Sequence, residues 1–541
     1  MSTSKLNAKQ KLKLFLKNLA FNMAHRIAIK NIKKIVKNTK TQPTEKKDSK
    51  KIIFDMIYGM YGQLIYWEGT LAKALQLRGH NVKVLTCGQA LTMCTSEYTV
   101  QRLHNQKTCN HCVKFSSEFL NTANLPHNSY KDYLTDAEIQ KIHEKVNKMN
   151  KEECHTLLYK NVDVGTLSKN AAIRYFKGQI QTNEKQYLNI LKAETINSLI
   201  AIDVAEKILK KEKPDILVTT HLGYSSWGGF AEYLAQHGVS ISYPGGGYKK
   251  DVIGFDFNIR GDTDIKFRKY YEEHRKKQPL DHREDQELQK FLDRRFKGKE
   301  GDTATYGYKN QDVKDHFNTK KYKLTYGIFP NVAWDSSLLS VHTAFKDIYE
   351  WLTYTIELFK EKPDHQLLIK IHPGEISNQS ENTIHDYIKH KHGELPENIK
   401  IIPLGTEISP YKLFQLIDIG LVYNGTTGLE MTLHGLPIIL AGLARYGRKG
   451  FTYDINTKEE YKKTLFKKLP KLSDEQIQKA RVYAYFYFVK GFLSFPYVLN
   501  QGFLKQGWNI GSFDELSEGK DENLDKICDY ITKDDILGLI K

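Results

Sequence analysis

The stretch DIGLVYNGTTGLEMTLHGLPIILAG, residues 418–442, contains the pattern that decides the fold. An apolar strand, a turn of small residues, a helix and a second apolar strand follow one another, which is the order of a parallel β-α-β unit. The turn lets backbone N–H groups and the hydroxyls of Thr426 and Thr427 face an anion at the start of the helix. Glu430 follows one turn later, where a carboxylate can accept hydrogen bonds from both ribose hydroxyls of a nucleotide.

Two earlier segments end in the same way. KYKLTYGIFPNVAWDSS (321–337) and QLLIKIHPGE (366–375) are apolar strands followed by polar loops. The carboxyl ends of parallel strands meet at one edge of a sheet, so we expect these loops to share a site. There His372 can donate a proton to a departing phosphate. The predicted donor-binding residues are Asp335, Ser336, Pro373, Asn424, Thr426, Thr427 and Glu430.

Each of these residues also has an ordinary structural interpretation. Glu430 can be a first-turn helix carboxylate, Thr427 a helix cap and His372 a turn histidine. Their occurrence in successive units of one domain favours a nucleotide site over three unrelated local roles.

The first half of the chain repeats the β-α-β scheme. KIIFDMIYG (51–59) opens it, and a second unit covers residues 214–247. Glu68, His221 and Tyr243 are candidates for the facing side of a cleft, with Glu68 and His221 as candidate catalytic residues. The alternatives are that Glu68 caps or solvates a helix and that His221 forms hydrogen bonds in a turn.

The net charge of +18 is concentrated near the N-terminus. Residues 1–51 contain 15 lysine or arginine residues and two acidic ones, so the rest has an ordinary charge balance, which argues against nucleic-acid binding. Apolar residues between Leu6 and Val36 recur at roughly helical spacing, which favours a helix on an anionic membrane surface over a solvated basic arm. NTKTQPTEKKDSKK is predicted to be a flexible linker. The start lacks the pattern of a secretory signal, so we expect a cytoplasmic protein, peripheral on the inner membrane face.

Four of the six cysteines lie close together in the sequence. In a reducing compartment such a group, with a CxxC pair, predicts a structural zinc site, although the six-residue spacing of the first pair is not that of a standard knuckle. Iron in place of zinc and a group of free thiols are the alternatives. The candidate metal ligands are Cys87, Cys94, Cys109 and Cys112.

Through FPNVAWDSS, IKIHPGE and YNGTTGLEMTLHGLPIILAG, the chain resembles the capsule polysaccharide biosynthesis proteins of the glycosyltransferase B type, including the Kdo transferases. The resemblance covers residues 322–454 by motif and the first half by architecture only. It implies that His372, Thr426 and Thr427 contact the donor phosphate and that Glu430 contacts the ribose. It also implies an inverting reaction and a CMP-sugar most readily, although the motifs leave UDP-sugars open.

We therefore predict an α/β protein with two facing Rossmann-like domains, the glycosyltransferase B fold, and a C-terminal crossing helix. The predicted segments are a basic amphipathic tail (1–50), an acceptor domain with the cysteine cluster (51–320), a nucleotide-sugar-binding domain (321–470) and the crossing helix with a tail (471–541). The predicted function is transfer of a sugar from a nucleotide sugar to a surface polysaccharide or glycolipid. No DxD motif is placed at these strand ends, so we expect catalysis without a metal or other cofactor. The alternatives are a nucleotide-sugar 2-epimerase and a non-catalytic polysaccharide assembly protein.

Overall fold

The structure of the chain is a computed structural model. It describes residues 8–59, 62–94, 106–177, 184–255, 270–297, 317–334, 342–377, 383–402, 408–500 and 506–533.

The first unit is built around a parallel sheet with strand order β3-β2-β1-β6-β7. Successive side chains along β1 point to opposite faces of this sheet. Ile52 and Phe54 pack in the core on one face, and Ile53 packs in the core on the other. The elements in chain order are α1 (Ala8–Asn38), β1 (Lys51–Asp55), α2 (Gly62–Leu77), β2 (Asn81–Thr86), α3 (Gln106–Thr122), β3 (His127–Ser129), α4 (Asp136–Asn147), α5 (Lys151–His155), β4 (Leu158–Tyr159), β5 (Val162–Asp163), α6 (Val164–Phe176), α7 (Glu184–Lys211), β6 (Ile216–Val218), α8 (Ser225–Gln236), β7 (Ser240–Ser242), β8 (Pro244–Gly246) and β9 (Val252–Phe255).

The second unit is built around a six-stranded parallel sheet with order β12-β11-β10-β13-β14-β15. All six residues of β11 are buried, as expected of an inner strand with helices on both faces. Its elements are α9 (His282–Phe296), β10 (Leu324–Ile328), α10 (Ile348–Lys360), β11 (His365–Lys370), α11 (Gly374–Ser377), α12 (Ile384–His392), β12 (Ile399–Ile402), α13 (Pro410–Leu413), β13 (Ile419–Val422), α14 (Thr427–Leu433), β14 (Ile438–Leu440), β15 (Tyr453–Asp454) and α15 (Lys458–Leu465).

The chain then returns to the first unit. Helix α16 (Asp474–Tyr485) continues into a π-helical turn (Phe486–Lys490), and β16 (Leu493–Ser494) pairs antiparallel with β9. Strands β17 (Val498–Asn500) and β18 (Gln506–Trp508) and helix α17 (Glu522–Lys533) follow. The predicted fold class, with two Rossmann-like units and a crossing helix, is confirmed.

The crossing segment, α16 with its π-helical turn, contributes aromatic residues to the core of the second unit. Tyr485, Phe486 and Tyr487 are buried there. Helix α9 also packs in this core through Leu288 and Phe291, although the predicted boundary at residue 320 places that helix in the first domain.

The N-terminal tail differs from the prediction in its second half. Ile29, Ile32 and Ile35 of α1 are buried in the core of the first unit, because they form one face of the helix and pack with α3 and β18. The following segment is not a flexible linker, since the backbone N–H of Thr41 donates to Asp514 Oδ1 at 2.7 Å. Among the described helices none is both long enough and apolar enough to cross a membrane.

Candidate functional site

Three loops meet at the carboxyl edge of the second sheet, after the neighbouring strands β11, β10 and β13. A Cβ added to Gly425 would lie 3.3 Å from Asn331 Oδ1. One added to Gly374 would lie 2.7 Å from His372 Nδ1 and 3.1 Å from Val332 Cγ2. The close approach of the loops therefore depends on glycine, and it places His372 and the Asn424 turn at one edge, as predicted.

His372 has a fixed ring. The backbone N–H of Gly374 donates to its Nδ1 at 3.0 Å, so the neutral ring carries its proton on Nε2. The carbonyl of His372 in turn accepts from the N–H of Glu375 at 3.1 Å. Pro373 is half-buried in the turn between them. A neutral imidazole with Nε2–H is a hydrogen-bond donor suited to an anionic leaving group.

The small-residue turn begins helix α14. Thr426 is the N-cap residue, and its side chain makes no capping hydrogen bond, so the interpretation of Thr427 as the cap is wrong: Thr427 is the first helical residue. Both side chains are half-buried. The turn is stabilised by Tyr446, whose Oη donates a hydrogen bond to the carbonyl of Gly425 at 2.6 Å. Neither hydroxyl is therefore used to cap the helix.

Glu430 lies on α14 with only 2% of its surface exposed. Nε of Arg295, at the end of α9, donates to its Oε1 at 2.6 Å. Burial lowers the pKa of Arg295, but the charge and hydrogen bond of Glu430, together with the contributions of Tyr411 and Tyr248, make the net direction upward. Arg295 was not predicted, because its partner is 135 residues away in the sequence.

Arg445 connects this edge with the first unit. Its Nη1 donates to Tyr487 Oη at 3.4 Å, and Tyr248 Oη donates to the same oxygen at 2.7 Å. Burial raises the pKa of Tyr243, and the charge of Arg445 acts in the opposite direction. Tyr243 packs against a core of the first unit and lies close enough to Arg445 for that charge to act on it, and its place in a cleft stays a prediction.

His221 lies beside Tyr243 in the first unit. Its backbone is left-handed, with φ of 50°, and its ring lies 4.9 Å from that of Trp227. Burial, with a smaller contribution from Arg174, lowers the pKa of His221 to about 3. The ring is thus neutral at physiological pH and a weak proton acceptor.

Glu68 is buried on α2 beside a second carboxyl group, Asp55, at the end of β1. Burial raises the pKa of Asp55 to about 8, partly offset by Tyr130 Oη, which donates to Oδ1 at 3.0 Å. Burial and then the charge of Asp55 raise the pKa of Glu68. Asp55 Oδ2 and Glu68 Oε1 have no hydrogen-bond partner within the described ranges. The pattern KIIFD contained Asp55, but nothing in the sequence paired it with Glu68.

The remaining predicted residues are less informative. Asp335 and Ser336 lie outside the described residues. The four cysteines of the cluster form no disulfide and are partly buried. Burial, followed by the thiols of Cys94, Cys87 and Cys109, raises the pKa of Cys112, so the four residues do come together. As placed, the described part of the chain contains no group of three or more His, Cys, Asp or Glu able to hold a metal ion, and the zinc site stays a prediction.

Fold and site together define a two-unit Rossmann-like α/β protein with a candidate ligand site at the carboxyl edge of its second sheet. Residues 266–488 match the family model described as capsule polysaccharide biosynthesis protein. This part of the chain is therefore similar to that family, as the resemblance predicted. The match includes α9 and Arg295, beyond the motifs that indicated it.

The solved structures that match this chain include KpsC from Thermosulfurimonas dismutans. Its beta Kdo 2,4 transferase is 13% identical, with 56% of this chain and 88% of that chain covered and a TM-score of 0.34; its beta Kdo 2,7 transferase is 15% identical, with 52% and 79% covered and a TM-score of 0.30. A UDP-GlcNAc 2-epimerase from Methanocaldococcus jannaschii is 15% identical, with 80% and 98% covered and a TM-score of 0.26. No curated protein matches the chain.

Proposed function

We propose that the protein is a glycosyltransferase that moves a sugar from a CMP- or UDP-linked donor to a surface polysaccharide or glycolipid. The observation that carries this proposal is that three loops meet at the edge of the second sheet. The loop after β11 contributes His372, the turn after β13 contributes Thr426 and Thr427, and α14, which follows that turn, contributes Glu430. The match to the capsule polysaccharide family over the same region supports it.

In the proposed reaction the turn at Thr426 and Thr427 receives the donor phosphate, and Glu430 receives the ribose. Nε2–H of His372 donates to the phosphate as the bond to the anomeric carbon breaks. The acceptor hydroxyl attacks that carbon from the side of the first unit, in an inverting step that needs no metal. Glu68 and His221 remain the candidate bases: burial keeps the ring of His221 neutral and able to accept the hydroxyl proton, whereas burial raises the pKa of Glu68, which must lose its own proton before it can act as a base.

The location proposed for the reaction is the inner face of the cytoplasmic membrane. The support for this is α1, a 31-residue helix rich in lysine whose Met23 and Ile27 are exposed. A helix of this kind can lie on anionic lipid headgroups while its other end is fixed to the enzyme.

The test is a panel of CMP-, UDP- and GDP-sugars, first for protection against thermal unfolding and then for transfer to capsule or lipid acceptors. We expect protection by one nucleotide class and product formation that persists in EDTA. Release of an epimerised sugar without any acceptor would indicate a nucleotide-sugar 2-epimerase instead. Absence of any nucleotide binding would contradict the proposal.

A further inference from the structure

Glu430 does not meet the site as a lone carboxylate. Oε1 accepts from Arg295 at 2.6 Å, and the side chains of the two residues are only 3% and 15% exposed. In a buried environment a charge is weakly screened, so this pairing determines the local field. A ligand therefore meets a nearly neutral ion pair at this position, with one carboxylate oxygen already engaged.

Arg295 is held in place by more than its partner. Its guanidinium carbon lies 5.3 Å from the ring centre of Tyr248 and 5.4 Å from that of Phe488. Phe488 is stacked on Phe291 of α9, with ring centres 5.3 Å apart. The arginine is thus fixed by the first unit, the crossing segment and α14 together, and a planar guanidinium suits this setting better than an ammonium group.

The negative charge of Glu430 matters because Glu430 lies one helical turn from Thr426 and Thr427, where the donor phosphate is proposed to bind. The N–H of Glu430 donates to the carbonyl of Thr426 at 3.2 Å. An unpaired carboxylate this close would repel a phosphate, and the repulsion would grow with the number of phosphate charges.

We propose that Arg295 is a positioning residue for the nucleotide donor. It orients Glu430 for the ribose and cancels its charge, so that the same edge can accept phosphate. The inference rests on the proposed function, because it assumes that a nucleotide binds at this edge.

The experiment compares the affinity for nucleotides with that for their uncharged nucleosides, using CMP against cytidine and UDP against uridine in equilibrium binding. Arg295→Met should weaken nucleotide binding at least about tenfold more than nucleoside binding, and UDP more than CMP. Arg295→Lys should retain most of the preference for nucleotides, since it keeps the charge. The matched control is Arg481→Met, which breaks the pair between Arg481 and Asp285 of the same helix α9 and should leave both affinities unchanged.

A double variant separates charge from packing. Arg295→Met with Glu430→Gln leaves no unpaired buried charge, so it should fold even if Arg295→Met alone is unstable. It should also restore the ratio of nucleotide to nucleoside affinity while ribose binding stays weak.

Equal weakening of nucleotides and nucleosides in Arg295→Met, or a low ratio in the double variant, would overturn the role of Arg295 and leave the proposed function standing. If the wild-type protein binds none of the nucleotides, the proposed function itself fails, and the role of Arg295 fails with it.

Discussion

His372 and Glu430 differ in how their neighbours hold them. The ring of His372 accepts a hydrogen bond from a backbone N–H two residues away, whereas Glu430 is oriented by an arginine from a distant helix. Glu430 requires an isosteric substitution, since a smaller side chain would leave Arg295 buried and unpaired.

His372→Ala is expected to lower kcat more than it weakens donor binding, because Nε2–H is needed most as the phosphate departs. Glu430→Gln should instead weaken donor binding about ten- to a hundredfold, equivalent to the roughly 1.5–3 kcal/mol of a hydrogen bond to a charged group. Steady-state kinetics and equilibrium binding on one donor measure both effects. Full activity of either variant would contradict the role given to that residue.

Asp55 makes stability depend on pH. Its pKa is about 8 in the folded protein and 3.8 as an ordinary aspartate, so the folded state holds a proton that the unfolded state has lost. Stability is therefore greatest at low pH and falls as pH rises toward the folded-state pKa, by about 2 kcal/mol between pH 6 and pH 8. Glu68 acts in the same direction.

The matched variant is Asp55→Asn, whose side-chain oxygen still accepts from Tyr130. Denaturant unfolding at pH 6 and pH 8 should show a smaller loss of stability for this variant than for the wild type. Equal losses in the two proteins would exclude Asp55 as the source.

At the scale of elements, the two ends of α1 differ in burial: its C-terminal part packs in the core, and its N-terminal part is proposed to bind the membrane. Ile32 is 1% exposed in the core of the first unit, whereas Met23 is 49% exposed. Deletion of residues 1–50 would therefore remove core side chains together with the basic segment. Only a shorter deletion tests membrane binding.

Deletion of residues 1–21 should leave the protein folded and release it from anionic vesicles. This segment contains five lysines, each worth about 1 kcal/mol at such a surface. Vesicle sedimentation measures the release, and a variant with the five lysines changed to glutamine should behave in the same way. Unchanged sedimentation of the truncated protein would contradict the membrane role.

By contrast, Ile32→Ala should cost about 2–5 kcal/mol of folding free energy.

The cysteine cluster joins the end of β2 to α3. If it binds zinc or iron, freshly purified protein should contain about one metal ion per chain by elemental analysis. Changing Cys109 and Cys112 to serine should remove that ion. The control is Cys154→Ala, which alters a buried thiol in a separate cluster. Metal-free wild-type protein would leave four free thiols as the correct interpretation.

At the scale of the whole molecule, the return of the chain to the first unit after α16 makes the two units interdependent. Ile527 of α17 is fully buried in the core of the first unit, after a return from the second. Ile527→Asp buries an unpaired charge there and should lower Tm by roughly 10 °C or more. Leu499→Asp is the control, because Leu499 is 38% exposed. Equal melting temperatures for the two variants would mean that α17 does not support the fold.

The sequence was sufficient for the features that repeat locally. Apolar strands followed by polar loops predicted both sheets and the edge that holds His372 and Glu430. It was insufficient for contacts between residues far apart in the chain. Arg295 with Glu430, and Asp55 with Glu68, are pairings that only the folded chain creates, and neither leaves a periodic pattern. Ile29, Ile32 and Ile35 had the correct helical spacing, but spacing alone does not distinguish a core from a lipid surface.

The return of the chain to the first unit also bears on synthesis at the ribosome. The core of that unit contains Ile29 and Ile531, and Nη1 of Arg78 donates to the carbonyl of Leu516 at 2.6 Å. All strands of the second sheet, in contrast, lie between residues 324 and 454. The first unit is synthesised first, but it cannot complete its core until α17 has been made, so its apolar surface stays exposed. The second sheet can form before that point. Nascent chains of this protein should accordingly depend on chaperones that shield the first unit until α17 emerges from the exit tunnel.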